Sequence, residues 1–283
     1  MEKFIGVEMP DLLIIINSRS RADKLLSSIK QLYSTCNDPH NFQILCVVDN
    51  DQLEEYKCVK DYDFKSMSGN SKILWEHPPH EDGNWTHITK IQYKYSQLSY
   101  FTWIIPDDMF EIKDGWDTAI LNKKEAHKDG IFTLAPDCNI KKNKRYKRIQ
   151  EACYKKSEIK LNGLGHRGKE QKEFIRHYCE LNPVYTKKWI HLMWDIFAEG
   201  NFTCQHDLIS AVLAYVIYER YNTKRLLLAE GLEHKGVQND GLTNKYTDDY
   251  GASKKESFEA LCADDFLLLN SVIENFAKAI DNK

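Results

Sequence analysis

Residues 12–16 (Leu-Leu-Ile-Ile-Ile) constrain the fold more than any other segment, because every position is apolar and three are β-branched. An unbroken apolar run of this kind is typical of a strand buried on both faces, as in a parallel sheet. After Asn17 and Ser18, apolar residues recur at helical spacing through residues 25–33. The chain is therefore predicted to open as a strand, a short polar turn and a helix.

The same alternation of strand and helix continues up to residue 135. Four further apolar runs are predicted as strands, at 44–48, 73–75, 101–105 and 131–134. Helices are predicted between them, at 51–60, 85–100 and 115–127. Because strands alternate with helices, the sequence predicts an α/β fold with a mainly parallel central sheet flanked by helices.

The pattern changes after residue 135. Residues 136–170 are basic and glycine-containing, show no clear period and are predicted to form a flexible loop segment. In the remaining part, 171–283, helices are predicted at 185–197, 206–220 and 258–279, with a strand at 226–228. Neither a repeat nor a low-complexity linker interrupts the sequence, so residues 1–283 are predicted to form a single domain whose second half is mostly helical.

Composition limits the classes of protein that the chain can belong to. The 283 residues carry 39 Lys or Arg against 42 Asp or Glu, a net charge of −3 that does not suit a polybasic nucleic-acid coat. The longest uncharged apolar run, 208–218, is shorter than the roughly 20 residues of a membrane span. With no secretory leader pattern and eight cysteines without a Cys-x-x-Cys pair, we expect a cytoplasmic protein with reduced thiols.

Polar residues follow three of the predicted strands. Asn17, Ser18, Arg19, Ser20 and Arg21 follow the first strand, Asp49, Asn50 and Asp51 the second, and Asp107 and Asp108 the fourth. In open α/β sheets, ligands bind beyond the carboxyl ends of the strands. Arginines can hold phosphate oxygens, and carboxylates can accept hydrogen bonds from a base or ribose or bind a divalent cation. Together these residues are the parts of a nucleotide-diphosphate site.

Each of these residues also has a simpler interpretation. Asp49 and Asp51 could be turn formers or helix caps. The pair Asp107 and Asp108 differs, since two adjacent carboxylates repel each other unless a cation or hydrogen-bond donors lie nearby. This favours a metal-binding role for at least one of the two.

The sequence resembles the GT-A glycosyltransferases, particularly the family 2-like members, in three segments. These are residues 14–25, 47–51 and 103–108, the last followed by Gly115-Trp116-Asp117. The resemblance implies the Rossmann-like GT-A fold, with residues 1–135 as the half that binds a nucleotide sugar and 171–283 as the acceptor side. It implies that the first two strand ends contact the nucleotide sugar and that aspartates after the fourth strand form the DxD motif, which binds Mn²⁺ or Mg²⁺. The contacts implied for the nucleotide sugar are Asn17, Arg19, Arg21, Asp49, Asp51 and Asp107.

The metal motif departs from a strict DxD, because Met109 stands at the third position counted from Asp107. It resembles an Asp-Asp variant in which Asp107 and Asp108 form the metal site and Asp108 is the favoured direct ligand. By the same resemblance, His234 is a third metal ligand. Taken without the family, His234 beside Lys235 is a surface residue.

The segment 182–190 resembles the one that leads into the acceptor side of these enzymes, and Asp207 follows it. In the family, an acidic residue at this place deprotonates the acceptor hydroxyl, so Asp207 is the predicted catalytic base. The alternative is that Asp207 only complements the dipole of its helix. If Asp207 lies opposite the leaving group, the reaction inverts the anomeric configuration.

The resemblance thus implies a metal-dependent enzyme that transfers a sugar from a nucleotide-diphosphate sugar to a glycan or another hydroxyl acceptor. Two alternatives stay open: a sugar-phosphate nucleotidyltransferase on a similar sheet, and a non-catalytic module that binds nucleotide sugars or glycans. The first turn, residues 17–21, lacks the glycine-rich loop that nucleotidyltransferases usually carry.

Residues 141–160 hold nine Lys or Arg against two Glu, a charge of +7 that leaves −10 on the rest of the chain. A solvated loop, a contact to donor phosphates or a charged acceptor, and nucleic-acid binding would each explain it, but the acidic remainder argues against nucleic acid. The glycine pattern at 163–168 lacks a preceding buried strand and suits a lid better than a dinucleotide site. Residues 111–113 are predicted as a solvated turn.

Overall fold

The computed structural model describes most of the first 138 residues and separate segments of the remainder. The described residues are 10–68, 73–79, 86–107, 111–138, 183–200, 210, 213–214, 217, 221, 223–234 and 274–280. The basic segment 141–160, the glycine pattern at 163–168 and the predicted base Asp207 lie outside these residues, as does Asp108.

Eight strands form one mixed sheet in the order β3-β2-β1-β4-β7-β6-β8-β5. Their bounds are β1 Leu12–Ser18, β2 Phe42–Val48, β3 Leu74–Glu76, β4 Phe101–Pro106, β5 Glu111–Ile112, β6 Thr133–Cys138, β7 Val184–Thr186 and β8 Leu226–His234. The pairs β1–β2, β1–β4, β2–β3 and β6–β8 are parallel, whereas β4–β7, β6–β7 and β5–β8 are antiparallel.

Helices flank this sheet. The described helices are α1 Ala22–Thr35, α2 Lys57–Lys60, α3 Lys65–Ser68, α4 Thr86–Ser96, α5 Trp116–Leu121 and α6 Lys187–Gly200, with 3₁₀ turns at Pro39–Asn41 and Asn50–Gln52 and a further helical segment at 274–280. The predicted α/β fold with a mainly parallel sheet between helices is confirmed. No helix among the described residues has both the length and the apolar character needed to span a bilayer.

The main core lies between α1 and one face of β1, β2 and β4. The buried positions of α1 recur at helical spacing, at Leu25, Ile29 and Leu32. They cover the strand residues that alternate toward α1, including Ile14 and Ile16. Strands β1 and β2 are buried on both faces, as their unbroken apolar sequence indicated. This core fixes the positions of the strand ends.

Gly115, Trp116 and Asp117 have an architectural role at the edge of the sheet where β2 begins. Gly115 has a φ of +77°, and an added Cβ would come within 3.0 Å of the Asn37 side-chain nitrogen. The buried Asp117 carboxylate accepts hydrogen bonds from the backbone N–H groups of Asn37 and Asp38 at 2.8 and 3.1 Å, and from the Asn41 side chain at 2.8 Å. This part of the motif fastens the connection between α1 and β2.

Several element boundaries differ from the predictions. The prediction of a solvated turn at 111–113 was wrong, because Glu111–Ile112 forms β5, paired with residues 232 and 233 of β8, and Ile112 is buried. The helix predicted to begin at Tyr185 begins at Lys187, since Val184–Thr186, rich in residues that favour strands, forms β7 instead. The strand predicted at 131–134 is Thr133–Cys138, and Cys36, Cys46 and Cys58 are free thiols.

Candidate active site at the carboxyl edge of the sheet

The strand register brings most of the predicted site residues to one edge of the sheet. Ser18 is aligned with Val48 of β2, and Asn17 with Pro106 of β4. Because these three strands are parallel, the residues that follow them lie at the same edge, which we call the carboxyl edge. Residues 17–21, 49–51 and 107 therefore converge, as the sequence predicted.

Arg19 joins the ends of β1 and β2. Its Nη1 atom donates to Asp49 Oδ2 at 2.7 Å and to Asp51 Oδ1 at 2.8 Å, and its Nη2 atom donates to Asp51 Oδ2 at 2.8 Å. The contact with Asp51 is bidentate, the strongest form of an arginine–carboxylate pair. We call these three residues the Arg19 clamp; with one cation and two carboxylates it carries a net charge of −1.

Asp107 belongs to a second group, which we call the Asp107 network and which comprises Ser18, Arg21, Tyr56 and Asp107. The Asp107 side chain is only 2% exposed, and its Oδ1 atom lies 3.2 Å from Arg21 Nη1. Its Oδ2 atom accepts a hydrogen bond from the Ser18 hydroxyl. The Ser18 oxygen lies 2.6 Å from the Tyr56 hydroxyl, which also accepts from the Arg21 backbone N–H at 3.1 Å.

Tyr56 was missed by the sequence reasoning. Burial, the largest cause, raises the pKa of Tyr56 to about 12, so the phenol is protonated at neutral pH and can donate. It lies in a stretch, 51–57, that is otherwise almost entirely charged or polar. An isolated aromatic residue in such a stretch is the one signal that pointed to it.

The turn between β1 and α1 lies beside both groups. Ser20 has a φ of +55°, in the left-handed region that residues other than glycine seldom adopt and that is found most often at functional sites. The Ser20 hydroxyl donates to Gln52 at 2.9 Å, which links the turn to the end of β2. Because α1 begins at Ala22, its free N–H groups and the positive end of its dipole lie at the carboxyl edge.

Asn17, the second-last residue of β1, carries an unsatisfied polar atom. Within the described part of the chain, its side-chain oxygen is buried and has no hydrogen-bond partner. Leaving a buried acceptor unpaired costs about 1–3 kcal/mol unless a water or ligand satisfies it.

The described residues do not by themselves complete a metal site, and they contain no group of three His, Cys, Asp or Glu able to hold a cation. Of the predicted ligands, Asp107 has both oxygens engaged by Arg21 and Ser18. Asp108 lies outside the described residues, and only the backbone of His234 is described, at the end of β8. The direct metal contacts of all three therefore stay predictions.

The topology places the backbone of His234 next to the residue that pairs with the start of β5. Strand β5 begins at Glu111, three residues after Asp108, and Glu111 pairs with Glu233. Strand β8 runs parallel to β6, which is antiparallel to β7, which in turn is antiparallel to β4. The end of β8 therefore lies at the carboxyl edge, like the end of β4.

Comparison with known proteins agrees on the fold. No protein-family model and no curated protein matches the sequence. Among solved structures, one similar fold is that of glucosyl-3-phosphoglycerate synthase from Mycobacterium tuberculosis in complex with Mn²⁺, UDP and glucosyl-3-phosphoglycerate. It is 10% identical to this chain with a TM-score of 0.53, and the match covers 89% of this chain and 78% of that one. A second similar structure is a mannosyltransferase from Pyrobaculum calidifontis in complex with GDP-Man and Mn²⁺. It is 10% identical to this chain with a TM-score of 0.51, and the match covers 97% of this chain and 76% of that one.

These likenesses confirm the predicted GT-A fold. At 10% identity they concern the path of the backbone and not the roles of individual residues.

Proposed function

We propose that the chain is a metal-dependent glycosyltransferase that moves a sugar from a nucleotide-diphosphate sugar to a hydroxyl acceptor. The observation that carries this proposal is the convergence of the Arg19 clamp and the Asp107 network at the carboxyl edge of a GT-A sheet. In open α/β folds this edge is where ligands bind.

The Arg19 clamp supplies the nucleotide side of the proposed site. Asp49 and Asp51 are held by one arginine, and the carboxylate oxygens retain lone pairs that can accept from a base or a ribose hydroxyl. Arg21 and the N-terminus of α1 add positive potential for the diphosphate. The unpaired oxygen of Asn17 is a further acceptor available to a donor ligand.

In this proposal, Asp108 and His234 supply the metal side of the site, together with Asp107. Because Arg21 and Ser18 already occupy the Asp107 carboxylate, Asp108 is the better direct ligand, and β5 and β8 bring the His234 backbone to the same edge. Carboxylate oxygens suit Mg²⁺ and Mn²⁺, and a neutral imidazole nitrogen is a common metal ligand. When bound, the cation would neutralise negative charge on the diphosphate leaving group.

The acceptor side is assigned to residues 171–283, with Asp207 as the base that takes the proton of the acceptor hydroxyl and an inverting outcome. This assignment comes from the family resemblance and the order of the segments. Buried helical residues close to Asp207 in sequence, Ser210, Leu213 and Ala214, agree with a packed helix after it.

The test is a screen of UDP-, GDP-, dTDP- and CMP-sugars by thermal shift and by donor hydrolysis, with and without Mn²⁺. We expect one nucleotide class to stabilise the protein in an Mn²⁺-dependent manner, by an amount that grows with ligand concentration. Asp108→Ala should abolish turnover, while Asp61→Ala, which removes an exposed carboxylate remote from the motif, should not. Full turnover by Asp108→Ala, or binding without turnover under every divalent cation, would contradict the proposal.

A further inference from the structure

Within the Asp107 network, Tyr56 connects the segment after β2 to the end of β1. It lies between the 3₁₀ turn Asn50–Gln52, which follows β2, and helix α2, and its side chain is fully buried. Its hydroxyl reaches the end of β1, 2.6 Å from Ser18 Oγ and 3.1 Å from the backbone nitrogen of Arg21. A single phenol therefore links the segment after β2 to the residue that holds Asp107.

The chemistry of the groups fixes the direction of these hydrogen bonds. An ionised carboxylate only accepts, so the one hydroxyl proton of Ser18 is donated to Asp107. The Ser18 oxygen must then accept the proton of Tyr56, and the Tyr56 oxygen accepts the Arg21 N–H. The donors run in one order, from the Arg21 amide through Tyr56 and Ser18 to the Asp107 carboxylate.

Both ends of this series of hydrogen bonds lie in the proposed site. At one end, the Arg21 amide belongs to the turn that leads into α1; at the other, Asp107 precedes the predicted metal ligand Asp108. Arg21 closes the loop through its own side chain, 3.2 Å from Asp107. The Ser28 hydroxyl holds the Asp107 backbone oxygen at 2.6 Å, so the residue before Asp108 is fixed at both its backbone and its side chain.

We propose that Tyr56 is a positioning residue of the transfer site: acting through Ser18 and the Arg21 amide, it orients the Asp107 carboxylate at the carboxyl edge. This inference rests on the proposed function and adds to it a residue outside the nucleotide and metal ligands. The hydroxyl of Tyr56, and not the packing of its ring, is the group that does this.

Tyr33 provides the matched control. It is also a buried tyrosine packed in the same core, but its hydroxyl has no hydrogen-bond partner among the described residues. Changing either tyrosine to Phe preserves the ring and removes one oxygen. Tyr56→Phe breaks the chain of hydrogen bonds, whereas Tyr33→Phe breaks none that the structure describes.

The first measurement does not require turnover. We expect amide hydrogen exchange at Arg21, followed in free protein by NMR or on a short peptide by mass spectrometry, to rise about tenfold in Tyr56→Phe, because the N–H loses its acceptor. Tyr33→Phe should leave it unchanged. In the presence of UDP, Mn²⁺ affinity measured by electron paramagnetic resonance should fall several-fold in Tyr56→Phe only.

The second measurement uses the active protein and its preferred donor sugar. We expect kcat to fall about tenfold in Tyr56→Phe with little change in the KM for the acceptor, because the acceptor side is untouched. The kcat of Ser18→Ala should fall by a similar factor. Since Tyr56 acts through Ser18, the double variant should lose little more than Ser18→Ala alone, which a purely structural defect would not produce.

The outcomes separate this inference from the proposed function. If Tyr56→Phe matches Tyr33→Phe in Arg21 exchange, Mn²⁺ affinity and kcat, the positioning role is wrong. If the losses of the two single variants add in the double variant, action through Ser18 is wrong. If the unmodified protein transfers no sugar while Arg21 exchange and Mn²⁺ affinity still respond to Tyr56→Phe, the network stands and the proposed function fails.

Discussion

Both edges of the sheet hold an arginine paired with aspartate, but the two pairs differ in exposure. At the carboxyl edge, the side chains of Arg19, Asp49 and Asp51 are 28%, 13% and 43% exposed. At the opposite edge, where β6 and β8 begin, Arg225 and Asp129 lie 2.6 Å apart and are 7% and 10% exposed. The contact distances are similar, so the difference lies in access to solvent.

The buried pair is tied into the backbone on both sides. Arg225 also donates to the carbonyl of Ile131 at 3.1 Å, and the Asp129 carboxylate accepts from the Ile131 N–H at 2.9 Å. Lys188 donates to the Asp129 carbonyl at 2.6 Å, and the Arg225 guanidinium lies 5.1 Å from the centre of the Phe276 ring. This pair therefore joins elements from distant parts of the chain.

The comparison teaches that exposure separates an exchangeable ion pair from a structural one. A partly solvated carboxylate can be released to a ligand at small cost, whereas a buried one cannot be left unpaired. The Arg19 clamp can therefore rearrange at small cost, whereas separating the buried Arg225–Asp129 pair would destabilise the fold.

The largest effect is expected at the buried pair. Arg225→Met should lower the free energy of unfolding by about 3–5 kcal/mol, because it leaves the Asp129 carboxylate buried without its partner. Chemical denaturation measures this loss. Lys224→Met, which removes the exposed neighbouring cation, should change stability by less than about 0.5 kcal/mol. Equal stabilities of the two variants would show that the buried pair is dispensable.

The second-largest loss of stability is expected at Asp117, at the edge of the sheet where β2 begins. Asp117→Asn should lower the free energy of unfolding by about 1–3 kcal/mol. In the native protein three N–H donors share the two carboxylate oxygens, and an amide would replace one of these acceptors with another donor. The exposed Asp114→Asn is the control. Proposed transfer activity per folded molecule should survive in both variants, and its loss in Asp117→Asn alone would contradict the architectural role given to this residue.

These two aspartate environments also show what could be read from the sequence. The resemblance joined Asp107 and Asp117 in one motif, and both are buried. Yet one faces an arginine and a hydroxyl at the proposed site, while the other accepts three N–H groups at the opposite edge. Sequence order does not distinguish these environments, since each depends on partners 76–89 positions away.

Local signals predicted the fold well where burial dictates composition. The unbroken apolar runs of β1, β2 and β4 and the helical spacing of α1 were enough to predict the parallel part of the sheet. Strand β5 was missed because two residues carry no period, and its partner in β8 lies more than 100 positions away. Tyr56 was missed because its role lies in two hydrogen bonds of one hydroxyl to residues 35 and 38 positions away, and an isolated aromatic residue does not indicate such partners.

The third prediction concerns the Arg19 clamp. Arg19→Met should change the free energy of unfolding by less than about 1 kcal/mol, because the pair is partly solvated. It should weaken binding of the preferred nucleotide sugar at least about tenfold, since Asp49 and Asp51 lose the cation between them. Arg19→Lys should restore part of the affinity, because a lysine keeps the charge but cannot bind Asp51 in a bidentate manner. Titration calorimetry measures binding, with Lys57→Met as the exposed control, and unchanged affinity in Arg19→Met would break the comparison.

The smallest expected effect is a pH dependence of stability at the edge opposite the carboxyl edge, near the Arg225–Asp129 pair. Burial first, and then the charge of Arg225, lowers the pKa of His127 below its ordinary value of 6.5. Below about pH 6.5 the unfolded chain therefore binds a proton that the folded chain binds less readily, so stability is present above this pH and falls as the pH drops. His127→Gln should flatten the decline in denaturation midpoint between pH 7.5 and 5.5, whereas His40→Gln, at an exposed site, should not. Because the positive charge of Arg225 is part of the cause, Arg225→Met should also reduce the slope assigned to His127, and a decline that steepens in His127→Gln would reverse the sign and contradict this account.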